Sequence, residues 1–118
     1  MLLDKDSTKT IVQKSIRLNP KKQLEPRHLD ILDDLPSITG VYYIHRADGE
    51  IIYIGKSNNI KKRINQHFTN TNHKSKKIQT QVTAVTYEAT GSELVALLKE
   101  SEEIKRIKPI HNRALRRN

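Results

Sequence analysis

Glu100 occupies an unusual position on the last predicted helix of this 118-residue chain. At about 100° per residue, the apolar arc of that helix contains five residues, which are Leu94, Leu97, Leu98, Ile104 and Ile107. Glu100 falls inside this arc, whereas Glu102 and Glu103 fall outside it. A carboxylate on an apolar face costs free energy unless it is paired or coordinates a metal ion. The sequence leaves two explanations open: a salt bridge to Arg63 or a lysine, or a ligand position for a divalent cation.

Glu100, together with an arginine, a tyrosine and a histidine, could catalyse the hydrolysis of a phosphodiester. The reaction requires a deprotonated nucleophile, a cation beside the developing charge and help for the leaving oxygen. One hard oxygen ligand with waters suits Mg²⁺ or Mn²⁺, and Arg63 could neutralise charge on the phosphate. Tyr42, Tyr53 or His67 could move a proton. Taken singly these residues are weak evidence, because paired tyrosines and a lone histidine are commonly packing residues.

The charge distribution indicates a polyanionic partner. The formal net charge is +9 and the isoelectric point is about 9.9. No Asp or Glu occurs from Ile51 to Tyr87, and this stretch contains the basic residues Lys56, Lys61, Lys62, Arg63, Lys74, Lys76 and Lys77. A second basic cluster closes the chain. Because clustered Lys and Arg gain from counterion release on nucleic acids, we expect nucleic-acid phosphate as the partner rather than a basic face that is only solvated.

The composition also excludes several classes of protein. The chain has no cysteine, so it has neither a disulfide framework nor a thiolate metal site. No apolar run approaches the roughly 20 residues that a membrane helix needs. The first ten residues do not have the pattern of a signal peptide. We therefore expect a cytoplasmic protein without a membrane partner.

The segment GVYYIHRADGEIIYIG predicts a β-hairpin that brings two tyrosines together. Asp48-Gly49 is a strong turn signal between two β-rich runs. With these two residues as the loop, Tyr42 pairs with Gly55 and Ile44 pairs with Tyr53, so the tyrosines become diagonal neighbours on one face. Because side chains alternate between faces, we expect a one-residue change in loop length to undo this arrangement.

A helix is predicted directly after the hairpin, over residues 57–68. Either Ser57 or Asn58 could be its N-cap. Its apolar residues recur at a spacing of four, and Arg63 and His67 share that spacing beside the apolar stripe. The two candidate functional side chains are therefore expected next to the hairpin.

The remaining elements complete a small α/β or α+β domain. Residues 76–81 could form a short helix, and VTAVTYEA, residues 82–89, reads as a third strand. The last helix is predicted to begin in a capping box, in which Thr90 caps and Glu93 reaches back, and to end near Lys108. Three strands with interleaved helices are typical of this fold class.

Changes in composition predict the organisation of the chain. Residues 1–34 are polar, mixed in charge and interrupted by prolines, so we interpret them as a linker or embellishment with room for one helical turn that packs on the domain. They could be the tail of a longer parent protein. Residues 35–113 form the predicted domain, and residues 114–118 form a basic tail.

The order of these motifs resembles the GIY-YIG nuclease family. The resemblance rests on Gly40-Val41-Tyr42, on Tyr53-Ile54-Gly55, on the helix that follows Lys56, on Glu100 and on His111-Asn112. It covers residues 36–113 and is strongest to the nuclease domain of the bacterial excision-repair incision subunit and to relatives fused to proofreading-type exonucleases. It implies the family fold, a central three-stranded antiparallel sheet flanked by helices.

The resemblance also implies roles for the matching residues. Tyr42 and Tyr53 match the two motif tyrosines, one of which is implicated as the general base or in positioning the water. Arg63 matches the essential arginine, and Glu100 matches the single metal-binding glutamate. His67 lies at a position held by Tyr or His among relatives. Which of Tyr42, Tyr53 and His67 is the general base therefore stays open.

Further residues are expected to contact nucleic acid. By resemblance, Gly55 lets the backbone approach the scissile phosphate, Lys56 lies at an often basic position, and Asn112 matches an asparagine that supports the site. The basic clusters add further predicted contacts: Lys61, Lys62, Lys74, Lys76 and Lys77.

The sequence thus predicts a metal-dependent endonuclease that hydrolyses DNA phosphodiester bonds in repair or processing. One Mg²⁺ or Mn²⁺ is the expected cofactor, and the expected partners are structure-specific or damaged DNA and another domain of a longer chain. The alternative is a nucleic-acid-binding module that uses the same scaffold without cleaving. No sequence-reading element is recognisable, so target choice is expected to lie in another domain or in DNA shape.

Overall fold

A computed structural model describes residues 24–113, and the predictions for residues 1–23 and 114–118 lie outside this range. The elements in chain order are α1 (Pro26–Asp33), β1 (Gly40–His45), β2 (Ile51–Ser57), α2 (Ile60–Thr69), α3 (His73–Gln81), β3 (Ala84–Ala89), α4 (Glu93–Ile107) and α5 (Ile110–Arg113). None of the helices described is both long enough and apolar enough to cross a membrane.

The three strands form one antiparallel sheet in the order β2-β1-β3. This confirms the predicted three-stranded antiparallel sheet flanked by helices. One face packs on α4 through a cluster that includes Val41, Ile54 and Ala96. The other face forms the larger core cluster with residues of α1, α2 and α3. The sheet therefore separates α2 and α4, the two helices that carry the candidate catalytic residues.

The hairpin turn differs from the predicted two-residue loop. The Gly49 N–H donates to the Arg46 carbonyl at 2.8 Å, and the Arg46 N–H donates to the Glu50 carbonyl at 3.0 Å. Residues 47–49 therefore form a three-residue loop. Gly49 has a φ of 88°, the left-handed conformation that such a loop requires at its last residue.

A β-bulge restores the predicted register of the two tyrosines. The pairing shifts by one residue after Ile44, which makes Ile52 the extra residue of β2. Ile44 then pairs with Tyr53, and Tyr42 pairs with Gly55, both as predicted. The expectation that a longer loop would separate the tyrosines was wrong, because the bulge cancels the shift.

The start of α2 differs from the predicted caps. Asn59 is the N-cap, and its Oδ1 accepts a hydrogen bond from the Lys62 N–H at 3.0 Å. Ser57 instead ends β2, where its hydroxyl hydrogen-bonds to the Asn59 N–H and carbonyl. The assignment of the cap to Ser57 or Asn58 was therefore wrong.

The start of α4 also differs from the prediction. Ser92 is the N-cap, and its hydroxyl accepts from the Val95 N–H at 3.2 Å. The Thr90 hydroxyl donates to the Ser92 carbonyl at 2.9 Å, and the Glu93 carboxylate accepts from the Asn58 amide at 3.2 Å. The predicted capping box between Thr90 and Glu93 was therefore wrong.

The bounds of α3 and β3 differ from the predicted ones. α3 begins three residues earlier than predicted, because Asn72 caps the Ser75 N–H at 2.8 Å. Val82 is the C-cap of α3 and is fully buried. β3 therefore begins at Ala84 rather than at residue 82.

The inward face of α4 is narrower than the predicted apolar arc. Ala96 and Glu103 are buried, whereas Leu94, Leu97 and Leu98 are 65%, 46% and 61% exposed. A three-stranded sheet covers only a strip of the helix, so part of the apolar arc stays in solvent.

Glu103 is buried, although it falls outside the predicted apolar arc of α4. The Tyr43 hydroxyl donates to its Oε1 at 3.2 Å. Arg106 donates to both carboxylate oxygens at 2.8 and 3.1 Å. Ile104 and Ile107 pack against the same side of the core, as predicted. The carboxylate is thus compensated by hydrogen bonds at the centre of the interface between β1 and α4.

α1 packs on the domain more extensively than the single turn expected within residues 1–34. Leu32 belongs to the main core cluster, and Ile31 packs against it. The His28 ring stacks on Phe68 with ring centroids 4.4 Å apart. The guanidinium of Arg27 donates to three carbonyls at the C-terminal end of α3. The described part of the predicted linker therefore contributes to the core of the domain.

Candidate active site

Tyr42 lies at the centre of the candidate site. Its side chain is 1% exposed, and its ring lies over Gly55 on the neighbouring strand. A Cβ at Gly55 would overlap the Tyr42 ring and hydroxyl. Glycine is therefore required there to make room for the tyrosine, a reason that the sequence reading did not include.

The Tyr42 hydroxyl is hydrogen-bonded to Nε2 of His67 at 2.8 Å, in a buried contact. β1 supplies the tyrosine and α2 supplies the histidine. Ile60 and Ile64, which are fully buried on α2, hold that helix against the sheet. The predicted placement of His67 beside the hairpin tyrosines is therefore confirmed.

The electrostatics of this pair favour a neutral histidine and a neutral phenol. Burial, together with the positive charges of Arg63 and Lys74, lowers the pKa of His67 to about 4. Burial raises the pKa of Tyr42 well above its ordinary value, and Tyr53 adds to this while Arg63 opposes it. At neutral pH His67 is therefore an uncharged imidazole and Tyr42 an uncharged phenol, joined by one hydrogen bond.

Tyr53 completes an aromatic group with Tyr42 and His67. The Tyr53 ring centroid lies 6.3 Å from that of Tyr42 and 5.3 Å from that of His67. Burial raises the pKa of Tyr53, whereas the charge of Arg63 lowers it. The two tyrosines are therefore brought together as predicted, and both of their rings contact the ring of His67.

Arg63 lies between two adjoining clefts. Its Nη1 donates to Gln66 Oε1 at 3.2 Å, three residues further along α2. One cleft of about 300 Å³ is lined by Lys56, Ser57, Asn58, Arg63, Glu93 and Ala96. The other, of about 390 Å³, is lined by Tyr53, Arg63, Gln66, His67, Thr69, Asn70, Asn72, Lys74 and Ser75. The guanidinium can therefore serve an anion in either cleft.

Glu100 is half-buried on α4 and lies close to the cations of the first cleft. Burial raises its pKa, while the charge and backbone N–H of Lys56 and the charge of Arg63 lower it. No ion pair between described residues includes Glu100, so the predicted alternative of a direct salt bridge to Arg63 or a described lysine is not formed.

The donor chemistry at Glu100 fits a hard divalent cation. No group of three Asp, Glu or His side chains converges within residues 24–113. A single carboxylate with water in the remaining positions is a coordination that Mg²⁺ accepts readily. The residues present therefore fit one divalent cation and do not form a closed protein cage.

Asn112 supports the site from within the core. Its Oδ1 accepts from the Ile54 N–H at 2.8 Å, and its Nδ2 donates to the Ile54 carbonyl at 2.9 Å. The side chain is 4% exposed. Because both amide groups are engaged, the direct contact with nucleic acid that we predicted does not fit the structure. Asn112 instead fixes β2 between Tyr53 and Gly55.

Two of the predicted basic contacts lie at the site itself. Lys56 is exposed and lines the first cleft with Arg63. Lys74 is partly buried, lines the second cleft, and places its Nζ 4.8 Å from the Tyr53 ring centroid. Each of these two lysines therefore lines one of the two clefts that share Arg63.

The other predicted basic contacts lie further from the site. Lys62 lines a small hollow beside Arg63, and both Lys61 and Lys62 line a hollow on the α1 side of α2. Lys76 and Lys77 are exposed on α3, and neither lines the two clefts described above. Their role as nucleic-acid contacts stays a prediction.

Gln66 is a site residue that the sequence reading missed. It lines the second cleft and accepts a hydrogen bond from Arg63. The available signal was its spacing of three residues from Arg63, which places both on one face of a helix.

The fold and the site match a known family of domains. Residues 38–113 match the family model described as the UvrC-like GIY-YIG domain. UvrABC system protein C of Legionella pneumophila (strain Lens) is 39% identical over 87 residues, which cover 72% of this chain and 14% of that protein. UvrABC system protein C of Clostridium acetobutylicum is 38% identical over 84 residues, which cover 69% of this chain and 14% of that protein.

A solved structure supports the same fold. The crystal structure of the GIY-YIG N-terminal endonuclease domain of UvrC from Thermotoga maritima, bound to its catalytic divalent cation magnesium, aligns with a TM-score of 0.67. The alignment covers 75% of this chain and 98% of that chain, at 22% sequence identity.

A three-stranded antiparallel sheet carries two tyrosines beside a histidine and an arginine of α2, and α4 on the opposite face carries a glutamate. The chain belongs to the GIY-YIG family, and residues 38–113 form a UvrC-like GIY-YIG domain. The chain spans 14% of the length of the two relatives described above.

Proposed function

We propose that this domain is a metal-dependent endonuclease that hydrolyses a DNA phosphodiester bond during excision repair. The observation that supports this most is the buried hydrogen bond between Tyr42 and His67, beside Tyr53 and next to clefts that Arg63 shares. The relatives called UvrABC system protein C, and the magnesium-bound endonuclease domain with the same fold, support the reaction class.

In the proposed reaction, Tyr42 and His67 act as a proton relay. Water gives a proton to the Tyr42 oxygen as its own oxygen bonds to phosphorus, and the tyrosine passes its proton to Nε2 of His67. The bond from phosphorus to the leaving oxygen breaks, and that oxygen takes a proton from solvent. The relay requires a neutral imidazole with its proton on Nδ1, which the low pKa of His67 supports. It avoids a free phenolate, which burial of Tyr42 makes costly.

Arg63 is proposed to bind the phosphate that is cut. A guanidinium can form two parallel charge-assisted hydrogen bonds to phosphate oxygens. Its position between the clefts, with no described ion pair to a carboxylate, leaves it available to an anion. Lys56 adds a second positive charge on the same side.

Glu100 is proposed to hold one Mg²⁺ or Mn²⁺ together with water. When bound, such a cation supplies positive charge that stabilises the phosphate and the leaving oxygen as negative charge develops. Burial raises the pKa of the Glu100 carboxyl, and the charges of Lys56 and Arg63 and the backbone N–H of Lys56 oppose this rise. We propose that further domains of a longer chain select the target, which is damaged or branched DNA.

A nicking assay with a matched pair of variants tests this proposal. Supercoiled plasmid and lesion-bearing or branched duplexes would be incubated with Mg²⁺, Mn²⁺ or EDTA. Glu100→Gln should abolish nicking and leave DNA binding in EDTA intact. Glu102→Gln, an exposed carboxylate on the same helix, is the control and should nick like the wild type.

Two outcomes would count against the proposal. If Glu100→Gln nicks like the wild type in Mg²⁺, the role of Glu100 is wrong. If the wild type binds DNA in a salt-dependent, metal-independent way and nicks none of the substrates, the non-cleaving binding module is favoured.

A further inference from the structure

Lys74 is distinguished from the other lysines of the basic stretch by where α3 places it. Its Nζ lies 4.8 Å from the centroid of the Tyr53 ring, where a cation is attracted by the aromatic face. It lines the same cleft as Arg63 and His67. Lys76 and Lys77, on the same helix, are exposed and line neither cleft described at the site.

The second cleft gathers positive charge without an acid to balance it. No Asp or Glu lines it, and none of the ion pairs between described residues includes Lys74 or Arg63. Burial and the charge of Arg63 both lower the pKa of Lys74. A partly buried lysine beside a second positive charge is unfavourable unless an anion joins them.

We propose that the cleft between Tyr53, Arg63 and Lys74 binds a second DNA phosphate, next to the phosphate that is cut. Lys74 is the ligand that distinguishes this cleft, and Arg63 lies at the border between the two phosphates. The backbone of the bound strand therefore runs from the Lys56 side of Arg63 to the Lys74 side. This inference rests on the proposed function, because it assumes DNA as the substrate.

The size and lining of the cleft agree with a phosphate and its sugar. Its volume of about 390 Å³ is larger than the neighbouring cleft of about 300 Å³. Gln66, Asn70 and Asn72 add neutral polar groups to the lining. Because Lys74 lies on the Tyr53 ring, a phosphate held there would also fix the distance between the strand and the tyrosine.

A binding experiment that needs no cleavage tests this directly. The full 118-residue chain would be titrated with single-stranded and duplex oligonucleotides in EDTA. In a series of oligonucleotides, a neutral methylphosphonate would replace one phosphate at a time. The variants are Lys74→Met, Lys74→Arg and, as the matched control, Lys76→Met.

Lys74→Met should weaken binding of the all-phosphate strand roughly tenfold, the loss expected for one charge-assisted contact. Lys76→Met should weaken it far less, and Lys74→Arg should restore most of the loss. One methylphosphonate position should weaken wild-type binding by the same factor and should have no further effect on Lys74→Met. Unfolding curves of each variant control for loss of structure.

The inference is overturned if Lys74→Met and Lys76→Met lose the same affinity, or if every methylphosphonate weakens Lys74→Met as much as the wild type. Its failure is distinguishable from failure of the proposed function. A Lys74-specific phosphate found in a chain that never nicks supports this inference and rejects the endonuclease. Nicking that depends on Glu100 but is unaffected by Lys74→Met rejects only this inference.

Discussion

The Tyr42 hydroxyl and Nε2 of His67 form a buried hydrogen bond of 2.8 Å between β1 and α2. The bond joins two groups that are both neutral at physiological pH, because burial raises the pKa of the tyrosine and lowers the pKa of the histidine. A proton that leaves Tyr42 therefore has an acceptor within hydrogen-bond distance. The sequence leaves open which of Tyr42, Tyr53 and His67 is the general base. The hydrogen bond makes a shared role for Tyr42 and His67 a testable proposal.

Replacing Tyr42 by Phe should remove the relay. We expect the single-turnover nicking rate in Mg²⁺ to fall by roughly 10²–10⁴-fold, the usual contribution of general acid–base catalysis. DNA affinity in EDTA should be unchanged, because the hydroxyl is buried. The free energy of unfolding should fall by about 1–3 kcal/mol, since Nε2 of His67 loses its partner.

Tyr87→Phe is the matched control for this variant. Tyr87 pairs with Tyr42 across β1 and β3 but is 43% exposed. The Tyr87→Phe variant should nick at the wild-type rate and should have the wild-type free energy of unfolding. A Tyr42→Phe variant that nicks as fast as the control would exclude the relay and leave Tyr53 or His67 as the proton acceptor.

Acid should destabilise the domain through His67. The pKa of His67 is about 4 in the folded protein and about 6.5 as a model value for the unfolded chain. Between these pH values the unfolded state binds more protons, so the free energy of unfolding falls as the pH falls from about 6.5 to about 4. The loss amounts to at most about 3 kcal/mol, at about 1.4 kcal/mol for each pKa unit.

Urea unfolding of the wild type and of His67→Gln between pH 7 and pH 4 measures this effect. The lowered pKa values of His28 and His111 are present in both proteins and cancel in the difference. The unfolding free energy of the wild type should fall relative to that of His67→Gln as the pH falls. Only the wild type has a group at residue 67 that binds a proton more readily in the unfolded state. Parallel curves across this range would mean that His67 titrates normally.

The sequence predicted the elements whose positions depend on strong periodicity. The spacing of four in α2 correctly placed His67 beside the apolar stripe, since Ile60 and Ile64 can only pack on the sheet one way. The register of Tyr42 and Tyr53 was also correct, although the loop length was wrong. Core burial of both side chains fixes the register, and the bulge at Ile52 absorbs the extra loop residue.

Features that depend on tertiary contacts could not be predicted from the periodicity of the sequence. The apolar arc of α4 was too wide to show which part faces the sheet, so Glu103 was assigned to solvent although it is buried against Tyr43. The two hydrogen bonds of Asn112 to Ile54 join residues that are 58 positions apart. No local pattern encodes such a contact.

Loss of the Asn112 side chain should destabilise β2 and the site that it carries. Asn112→Ala leaves the buried Ile54 N–H and carbonyl without their partners, so we expect the free energy of unfolding to fall by about 2–4 kcal/mol. Asn112→Asp keeps the acceptor but places a carboxylate oxygen against the Ile54 carbonyl, and it should also be destabilised.

Chemical unfolding at pH 7 would measure both variants against Asn65→Ala, an exposed asparagine on α2. The control should lie within about 0.5 kcal/mol of the wild type, as surface substitutions usually do. If Asn112→Ala matched the control in unfolding free energy, the side chain would not be supporting β2.

The Tyr43–Glu103 contact should couple β1 to α4, one helical turn from Glu100. The Tyr43 hydroxyl remains a proton donor across the neutral range, because burial and the nearby carboxylate of Glu103 raise its pKa to about 12. A double-mutant cycle with Tyr43→Phe and Glu103→Gln should give a coupling of about 0.5–1.5 kcal/mol in unfolding free energy. The separate loss of the Arg106 contacts cancels in the cycle.

The same cycle with Glu102→Gln in place of Glu103→Gln is the control, and its coupling should be near zero. Because Glu100 and Glu103 are three residues apart on one face of α4, loosening this contact should also raise the Mg²⁺ concentration needed for half-maximal nicking. That shift should appear in Tyr43→Phe at a temperature where the variant is still fully folded. A coupling no larger than the control, together with an unchanged Mg²⁺ requirement, would show that Glu103 is buried without holding α4 in place.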